Sequence, residues 1–412
     1  MNLNTKSKFP LHFQILAALI LGSVFGYFLP AWTDYTNWIG IIFLRILNMV
    51  VIPLILCSII GGVASLGKSE SMGTLALKTM GFYLVTTVLA IITGFTLVSL
   101  VKPGVGVPLN LSGSVEKITV GTDKFGEILL NIVPKNIFEA LAQGQMLPII
   151  FFAVVFGYFI TKTSDSSQTF LKNFFASSLD AIMHITLFVI RLAPFGIFSI
   201  AAKEIARQVL LGNNIEDLLS RLGLFVLIVI IGLLFHGIVT MSLILKFVGR
   251  VNPWKHLRNM ATPLITAFTT SSTNATLPLT MEAVEENDGV SPRIIGFTIP
   301  LGATINMNGT ALYECVAALF IAQVYGIHLT FVQQLLVILT SLLAAVGAAG
   351  VPMAAIVMMV IIFKSVGLPL EGISLILPVD RILDMFRTAV NTYGDTCAAV
   401  VIARSEGEEL SI

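Results

Sequence analysis

Charge is what this sequence has least of. Only 11% of its 412 residues are Asp, Glu, Lys or Arg, against roughly a quarter in a soluble domain. The two signs nearly cancel, leaving a formal net charge of +1. That balance excludes the basic footprint a nucleic-acid partner needs. Cysteine is scarce too. Cys57, Cys315 and Cys397 lie far apart in apolar segments, with neither metal-ligand spacing nor a disulfide framework. They read as small buried hydrophobes. The histidines, His12, His184, His236, His256 and His328, are scattered and pair with no evident nucleophile. That argues against an enzyme. Low-complexity tracts and soluble domains are also missing.

What fills the chain is apolar. Hydrophobic residues make up 56% of it and the mean hydropathy is +0.93. Such a chain belongs in a bilayer. A spanning helix needs ~20 apolar residues, and candidates centre near residues 21, 51, 90, 151, 189 and 231. The first apolar stretch, Ile15 to Leu29, is followed by "PAWTDYTNWIG", which has no small-x-small cleavage site. It reads as a retained helix rather than a cleaved leader. Lys6 and Lys8 precede it, Lys68 and Lys78 follow the second candidate, and Trp32 to Asn37 holds no Lys or Arg. The positive-inside rule then places the N-terminus in the cytoplasm. Residues 103 to 125 and 205 to 220 read as polar connections.

The last part of the chain departs from simple spans. Phe331 to Phe363 holds no charged residue. As one helix it would be roughly 50 Å long, against a hydrocarbon core of ~30 Å. Its middle, "GAAGVP", breaks helices. Two half-length helices meeting in a re-entrant hairpin resolve the mismatch, given protein or water around the tip. Met260 to Thr280, "MATPLITAFTTSSTNATLPLT", is similar, with a centre of hydroxyls and amides. It reads either as a span with a polar face or as a second hairpin presenting Ser and Thr. Between them, Gly302 and Gly309 flank "TINMN" within an apolar span. That predicts a helix unwound at its centre, with free carbonyls for cations. Paired broken segments point to a transporter's binding site and an inverted repeat.

One stretch concentrates charge, "DRILDMFRTAVNTYGDT" from Asp380 to Thr396. On a helix, Asp380, Asp384, Arg387, Thr388, Asn391 and Asp395 fall within about 100° of arc. In lipid each central charge costs at least ~2.5 kcal/mol, so this face must meet protein, ions or water. Arg387 offers a fork for a carboxylate, and Asp384 suits an ammonium group. Thr388 and Asn391 add neutral hydrogen bonds. Together they suit a small zwitterion with an extra carboxylate. Asp395 and backbone near Asn391 offer hard oxygens for Na⁺. The plainer reading is a self-satisfied Arg387–Asp384 pair that serves packing.

The stretches "TSSTNATLPLT", "PLGATINMNGTALYE", "GAAGVP" and "LDMFRTAVNTYGD" resemble the dicarboxylate/amino-acid:cation symporter family, which includes the excitatory amino-acid transporters and archaeal aspartate transporters. The resemblance implies an all-α polytopic membrane protein with eight transmembrane helices, two re-entrant hairpins and inverted repeats. It implies a homotrimer working as an elevator, with N- and C-termini cytoplasmic, in a prokaryotic inner membrane. Residues 1–70 and 129–207 would form the scaffold. Residues 71–128 and 208–412 would form the moving transport domain.

The resemblance also assigns roles. Substrate, an acidic amino acid, would be held by the hairpin tips at Ser272, Thr273, Gly350, Val351 and Pro352. Asp384 would hold its ammonium, Arg387 and Thr310 its side-chain carboxylate, and Asn391 its α-carboxylate, with Thr388 beside them. One Na⁺ would use Asp395 with carbonyls of Gly302, Asn306 and Asn391; a second would lie between Thr304 and Ala345, Val346 and Ala348. A third Na⁺ would use Tyr83, Thr86, Thr87 and Asn391, together with an aspartate of a family "NMDGT" that is here Asn308, so its anionic ligand is missing. Glu314 is the candidate for carrying H⁺ as a coupling ion. An arginine that relatives carry at Ser271 or Met385 is absent from both places, and Arg381 is the candidate replacement. Rival readings are a C4-dicarboxylate carrier, a neutral amino-acid carrier and an anion channel. Asp384 opposes the first and Arg387 the second.

Overall fold

The structure, a computed structural model, describes residues 11–64, 70–106, 133–210, 215–347 and 354–412. These residues are helical, with no strand among them. The order is α1 Leu11–Phe28, α2 Thr33–Ala64, α3 Glu70–Val101, the short α4 Ile137–Gln143, α5 Met146–Ile160, α6 Asp165–Arg191 and α7 Ala193–Leu210. Then α8, Ile215–Leu234, runs on through a π-helical turn at Phe235–Thr240 and a second at Leu245–Gly249. The span expected around residue 189 is divided: α6 ends at Arg191 and α7 begins at Ala193. Pro194 explains the break, since it has no N–H to continue the α6 ladder. The polar connection expected at 205–220 is largely helical instead, with only residues 211–214 outside the described part.

The remainder holds the unusual elements. Helix α9, Pro253–Asn259, leads into α10 Ala261–Thr270 and α11 Thr273–Asp288. These two pack on each other, which favours the hairpin reading over a single span. Ser271 stops α10 in the left-handed conformation at φ 52°, and the Ser272 hydroxyl caps α11 by accepting from the Ala275 N–H. Next come α12 Pro292–Ile305 and α13 Asn308–Val324, a helix broken in the middle. The break is tighter than the glycines suggest: only Asn306 and Met307 leave the helix, and Gly302 and Thr304 stay helical. Helices α14 Phe331–Gly347 and α15 Ala354–Val366 also pack together as two arms. Their connection, with Ala348, Gly350, Val351 and Pro352, lies outside the described residues. So does the polar loop expected at 103–125, from residue 107 on. The chain closes with α16 Ile373–Ser405.

Packing explains what each element is for. Among the described residues, three stretches, Thr74–Val101, Ser220–Gly249 and Pro292–Val324, are long and apolar enough to cross a membrane. The third is buried, so it faces protein rather than lipid. Helix α13 is buried on every face, as expected of a helix at the centre of a membrane protein. Helix α3 lies against it. Helix α16 packs on α10, α11, α12 and α13, so both the first hairpin and the broken helix close around it.

Helices α1 and α7 meet through small residues. A Cβ on Gly22 would come within 2.4 Å of the Phe198 carbonyl oxygen, and one on Gly26 within 2.2 Å of that of Ala202. Glycines four apart allow backbones to touch where lipid supplies no hydrophobic drive. Gly26→Val should therefore force α1 off α7, at a cost of about 3 kcal/mol. The check is the thermal midpoint of the detergent-solubilised protein, which should fall while that of an exposed control such as Leu21→Val stays put.

Candidate functional site

Arg387 is the largest wholly buried side chain among the described residues. Its Nη2 donates to Asp384 Oδ1 at 2.9 Å, one helical turn earlier. Its Nη1 lies 2.9 Å from Asp380 Oδ1, but off the hydrogen-bond direction, so this contact is electrostatic. The ring of Tyr313, from α13, covers the guanidinium at 4.0 Å from the ring centroid. That is a close cation–π contact. Among the described residues neither Nε nor Nη1 has a hydrogen-bond acceptor, although both are buried. Arg381 reaches the other Asp384 oxygen at 3.6 Å. The packing pair considered from the sequence is thus formed. Yet it leaves two guanidinium donors unspent, and such donors are costly unless a ligand takes them.

Toward the break in the α12–α13 helix, the polar residues interlock. Thr388 donates its hydroxyl to the Asp384 carbonyl at 2.7 Å. Asn391 donates to Thr310 Oγ1 at 3.2 Å and to Met307 Sδ at 3.1 Å. Its Oδ1 accepts the Gly309 N–H at 2.8 Å. Thr273, at the start of the second hairpin arm, is 3.5 Å from the Ala303 carbonyl. Ser271, Thr273, Thr310, Asp384, Arg387, Thr388 and Asn391 are all buried. The structure therefore brings Thr310, Asp384, Arg387, Thr388 and Asn391 together and sets Thr273 against the α12 backbone. The tip residues of the second hairpin remain outside this picture.

A second cluster surrounds Asp395. Asn306 donates its amide to Asp395 Oδ1 at 2.9 Å. The Tyr83 hydroxyl donates to the Thr298 carbonyl at 2.8 Å. Gly302 lets both approach: a Cβ there would be 2.2 Å from Asp395 Oδ1 and 2.5 Å from the Tyr83 oxygen. Gly394 does the same for the amides, since its Cβ would lie 2.7 Å from Asn308 Nδ2 and 2.9 Å from Asn306 Nδ2. Asn306 Oδ1 and Asn308 Nδ2 are buried without hydrogen-bond partners among the described residues. The Gly302 carbonyl accepts the Asn306 N–H at 2.8 Å, because Gly302 is still helical, and keeps its second lone pair; Thr304 donates its hydroxyl to the Pro300 carbonyl. Thr86 likewise donates to carbonyls of its own helix, and Thr87 is buried beside it. Ala345 is buried on α14, which packs against α12; the Val346 side chain is outside the described set.

Glu314 is wholly buried one turn after Thr310, and neither of its oxygens has a hydrogen-bond partner among the described residues. Sequence reasoning missed Tyr313 and Gly394. Tyr313 adjoins Glu314 in a segment already singled out, but nothing in its spacing signals that its ring caps Arg387. Gly394 stands next to Asp395 on a helix that otherwise avoids glycine, which is a usable signal of close approach.

Acids, amides and hydroxyls on a broken helix and a charged helix can bind a small charged solute with a cation beside it. No group of three or more His, Cys, Asp or Glu with metal-site geometry occurs among the described residues. At 36% identity over 414 residues, the chain is similar to a proton/sodium-glutamate symport protein of Geobacillus stearothermophilus, covering 97% of this chain and 96% of the relative. A proton/glutamate-aspartate symporter of Escherichia coli (strain K12) is 34% identical, with coverage of 97% and 93%. The neutral amino acid transporter B(0) of Bos taurus is 35% identical, with coverage of 90% and 73%. Residues 11–405 match the model of the sodium:dicarboxylate symporter family. The chain is an integral membrane protein and belongs to the sodium:dicarboxylate symporter family, a family of transporters rather than enzymes.

Proposed function

We propose that this protein is a secondary active symporter that takes up aspartate or glutamate together with Na⁺, and that a proton travels through Glu314. The observation that carries the reading is Arg387, buried and with Nε and Nη1 unsatisfied. Among the described residues those two nitrogens make no hydrogen bond, and each can donate a charge-assisted one to a carboxylate. Relatives of similar identity bear names for acidic and for neutral amino acids, so overall identity does not choose between them. The guanidinium favours the acidic ones: a neutral amino acid has no second carboxylate to offer Nε and Nη1. Asp384 opposes a C4-dicarboxylate lacking an amino group and would receive the substrate's ammonium.

The moving parts follow the packing. Helices α1 and α2 pack with α5, α6 and α7, whereas α3, α8, α10 to α13 and α16 pack with one another. This supports a scaffold of residues 1–70 and 129–207, and a transport domain of 71–128 and 208–412 that moves as an elevator within a homotrimer. The tips at Ser272–Thr273 and Gly350–Pro352 would serve as gates. Lys78 pairs with Glu406 at 2.6 Å, which puts the C-terminal end beside the start of α3. With the lysines on that side taken as inside, the C-terminus is cytoplasmic, in a prokaryotic inner membrane. Na⁺ would meet Asp395 and neighbouring oxygens, a second Na⁺ Thr304 and the second hairpin. The amide of Asn308 weakens the case for a third Na⁺ near Tyr83, Thr86 and Thr87.

Arg387→Cys removes two charge-assisted bonds to substrate, so aspartate and glutamate should bind about a hundredfold more weakly or worse. Serine or alanine binding should appear in exchange. Unchanged aspartate affinity in proteoliposome uptake would rule out the role. Asp395→Asn should raise the Na⁺ concentration needed for uptake and lower apparent aspartate affinity at fixed Na⁺, with partial recovery at higher Na⁺. Conversely, Asn308→Asp should steepen the Na⁺ dependence; an unaltered Hill coefficient counts against a charge vacancy at that position. Glu314→Gln imitates the protonated acid. It should keep substrate exchange, flatten its pH dependence and impair net uptake. Identical pH profiles for both proteins in both assays would remove Glu314 as the proton site.

A further inference from the structure

A buried chain of hydrogen bonds lies outside the proposed substrate site. His256 and Asp288 are both wholly buried, and His256 Nδ1 is 2.6 Å from Asp288 Oδ2. On the other side of the ring, Nε2 is 3.0 Å from Thr396 Oγ1 and 3.8 Å from Cys397 Sγ. The ring of Tyr393 lies 5.4 Å from that of His256. His256 thus meets three residues of α16 within one turn, and Asp395 belongs to that turn.

The proton positions follow from the partners. Thr396 donates its one hydroxyl hydrogen to the Tyr393 carbonyl at 2.8 Å. Its oxygen can only accept from His256, so Nε2 carries a hydrogen. Asp288 Oδ1 accepts from Asn259 Nδ2 at 2.7 Å. One further proton must therefore lie between Nδ1 and Oδ2. Without it, a nitrogen lone pair would face a carboxylate oxygen at 2.6 Å in a buried site. The pair is net neutral whichever atom holds that proton.

The chain also has an anchor. Asp288 ends α11, and Gly289 turns the backbone away at φ 78°. Asn259 and Asn287 exchange side-chain-to-backbone bonds across the hairpin root. The C-terminal tail closes over it: Ser411 donates its N–H to the Asp288 carbonyl at 2.9 Å and its hydroxyl to the Asn287 carbonyl at 3.1 Å. The root of the first hairpin is thus tied down, and His256 transmits that fixed position to α16.

We propose that His256 and Asp288 form a hydrogen-bonded brace that holds the Asp395 turn of α16 against the root of the first hairpin, which makes both positioning residues for cation binding. The inference rests on the reading of Asp395 as a cation ligand. Asp395 accepts from Asn306 and lies against Gly302 on one side of α16, while Thr396 and Cys397 take the brace on another. The two contacts oppose rotation of α16 about its axis at the level of Asp395. Loss of groups that orient a ligand typically weakens metal affinity by 10–100-fold.

The neutral-pair argument makes a sharp distinction between substitutions. In Asp288→Asn the new amide donates to His256 Nδ1 and its oxygen still accepts from Asn259, so the chain survives without a titratable proton. Asp288→Ala and His256→Phe break it. The measurement is the Na⁺ concentration for half-maximal thermal stabilisation of the full-length solubilised protein, read without transport. His256→Phe and Asp288→Ala should raise it about tenfold. Asp288→Asn should stay within about twofold of the parent and keep its pH profile in uptake. A purely structural role would lower the midpoint without Na⁺ and leave the Na⁺ dependence alone, which overturns the proposal. Asp288→Asn behaving like Asp288→Ala overturns it as well, because the carboxylate itself would then matter. Where His256→Phe does not fold, the Asp288 pair of variants decides. Asp395→Asn runs alongside: if it leaves the Na⁺ dependence unchanged, the cation site is wrong rather than the brace.

Discussion

Burying one guanidinium is the constraint on which the rest of this structure depends. A lone charge inside a protein is several kcal/mol unfavourable, and removing one partner of a buried pair typically costs 3–5 kcal/mol. Arg387 is wholly buried, so its surroundings must be built rather than left to chance. Asp380 and Asp384 stand on the same helix, two turns and one turn before it. Helical geometry alone brings them to the same face. Tyr313 arrives from another element, and its ring can cover the guanidinium only if α13 lies close beside α16. The charge therefore fixes a tertiary contact as well as a local one.

That contact is possible because the crossing points are stripped of side chains. A Cβ on Gly309 would be 2.9 Å from the Arg387 carbonyl, one on Gly302 would strike Asp395, and one on Gly394 would strike the amides of Asn306 and Asn308. The glycines bring two backbones into range at the place where the α12–α13 helix is interrupted. The interruption would otherwise strand polar backbone groups in a buried region. Here the Gly309 N–H is taken by Asn391 and by Asn308 Oδ1, and the Asn306 N–H by the Gly302 carbonyl. The break is short because the amide side chains around it can satisfy only a few such groups.

Much of this was legible before any coordinates. Charge confined to one helical stripe in an apolar chain signals a protein-lined site, and a Ser/Thr/Asn-rich turn between prolines signals the first hairpin. Those are one-dimensional patterns with direct physical causes. The extent of the unwound segment was not legible, because Gly302 and Gly309 are there for close approach and not to end the helix. Neither was the function of Tyr313, whose partner is 74 positions away in a different element, nor that of His256, which is 140 positions from Thr396. Periodicity shows which side of a helix is polar. It does not show which distant side chain completes that side. The division at Pro194 was readable in principle, but an unbroken hydrophobic count conceals it.

Asn391 connects the two halves of the proposed site. Its amide nitrogen serves Thr310, which lies on the substrate side, and its oxygen receives the N–H of Gly309 at the break. Asp384, Arg387 and Thr388 precede it on α16, and Asp395 follows it one turn later. On the proposed reading, substrate and cation are therefore held by one rigid helix and one broken one. Ordering the break for either ligand also orders it for the other. Coupling of that kind is reciprocal and typically amounts to 1–3 kcal/mol, or roughly 5–150-fold in affinity. A symporter needs no separate relay for this. It needs two sites that share a deformable segment, and a helix rigidly held at its far end so that the deformation is not lost as rotation.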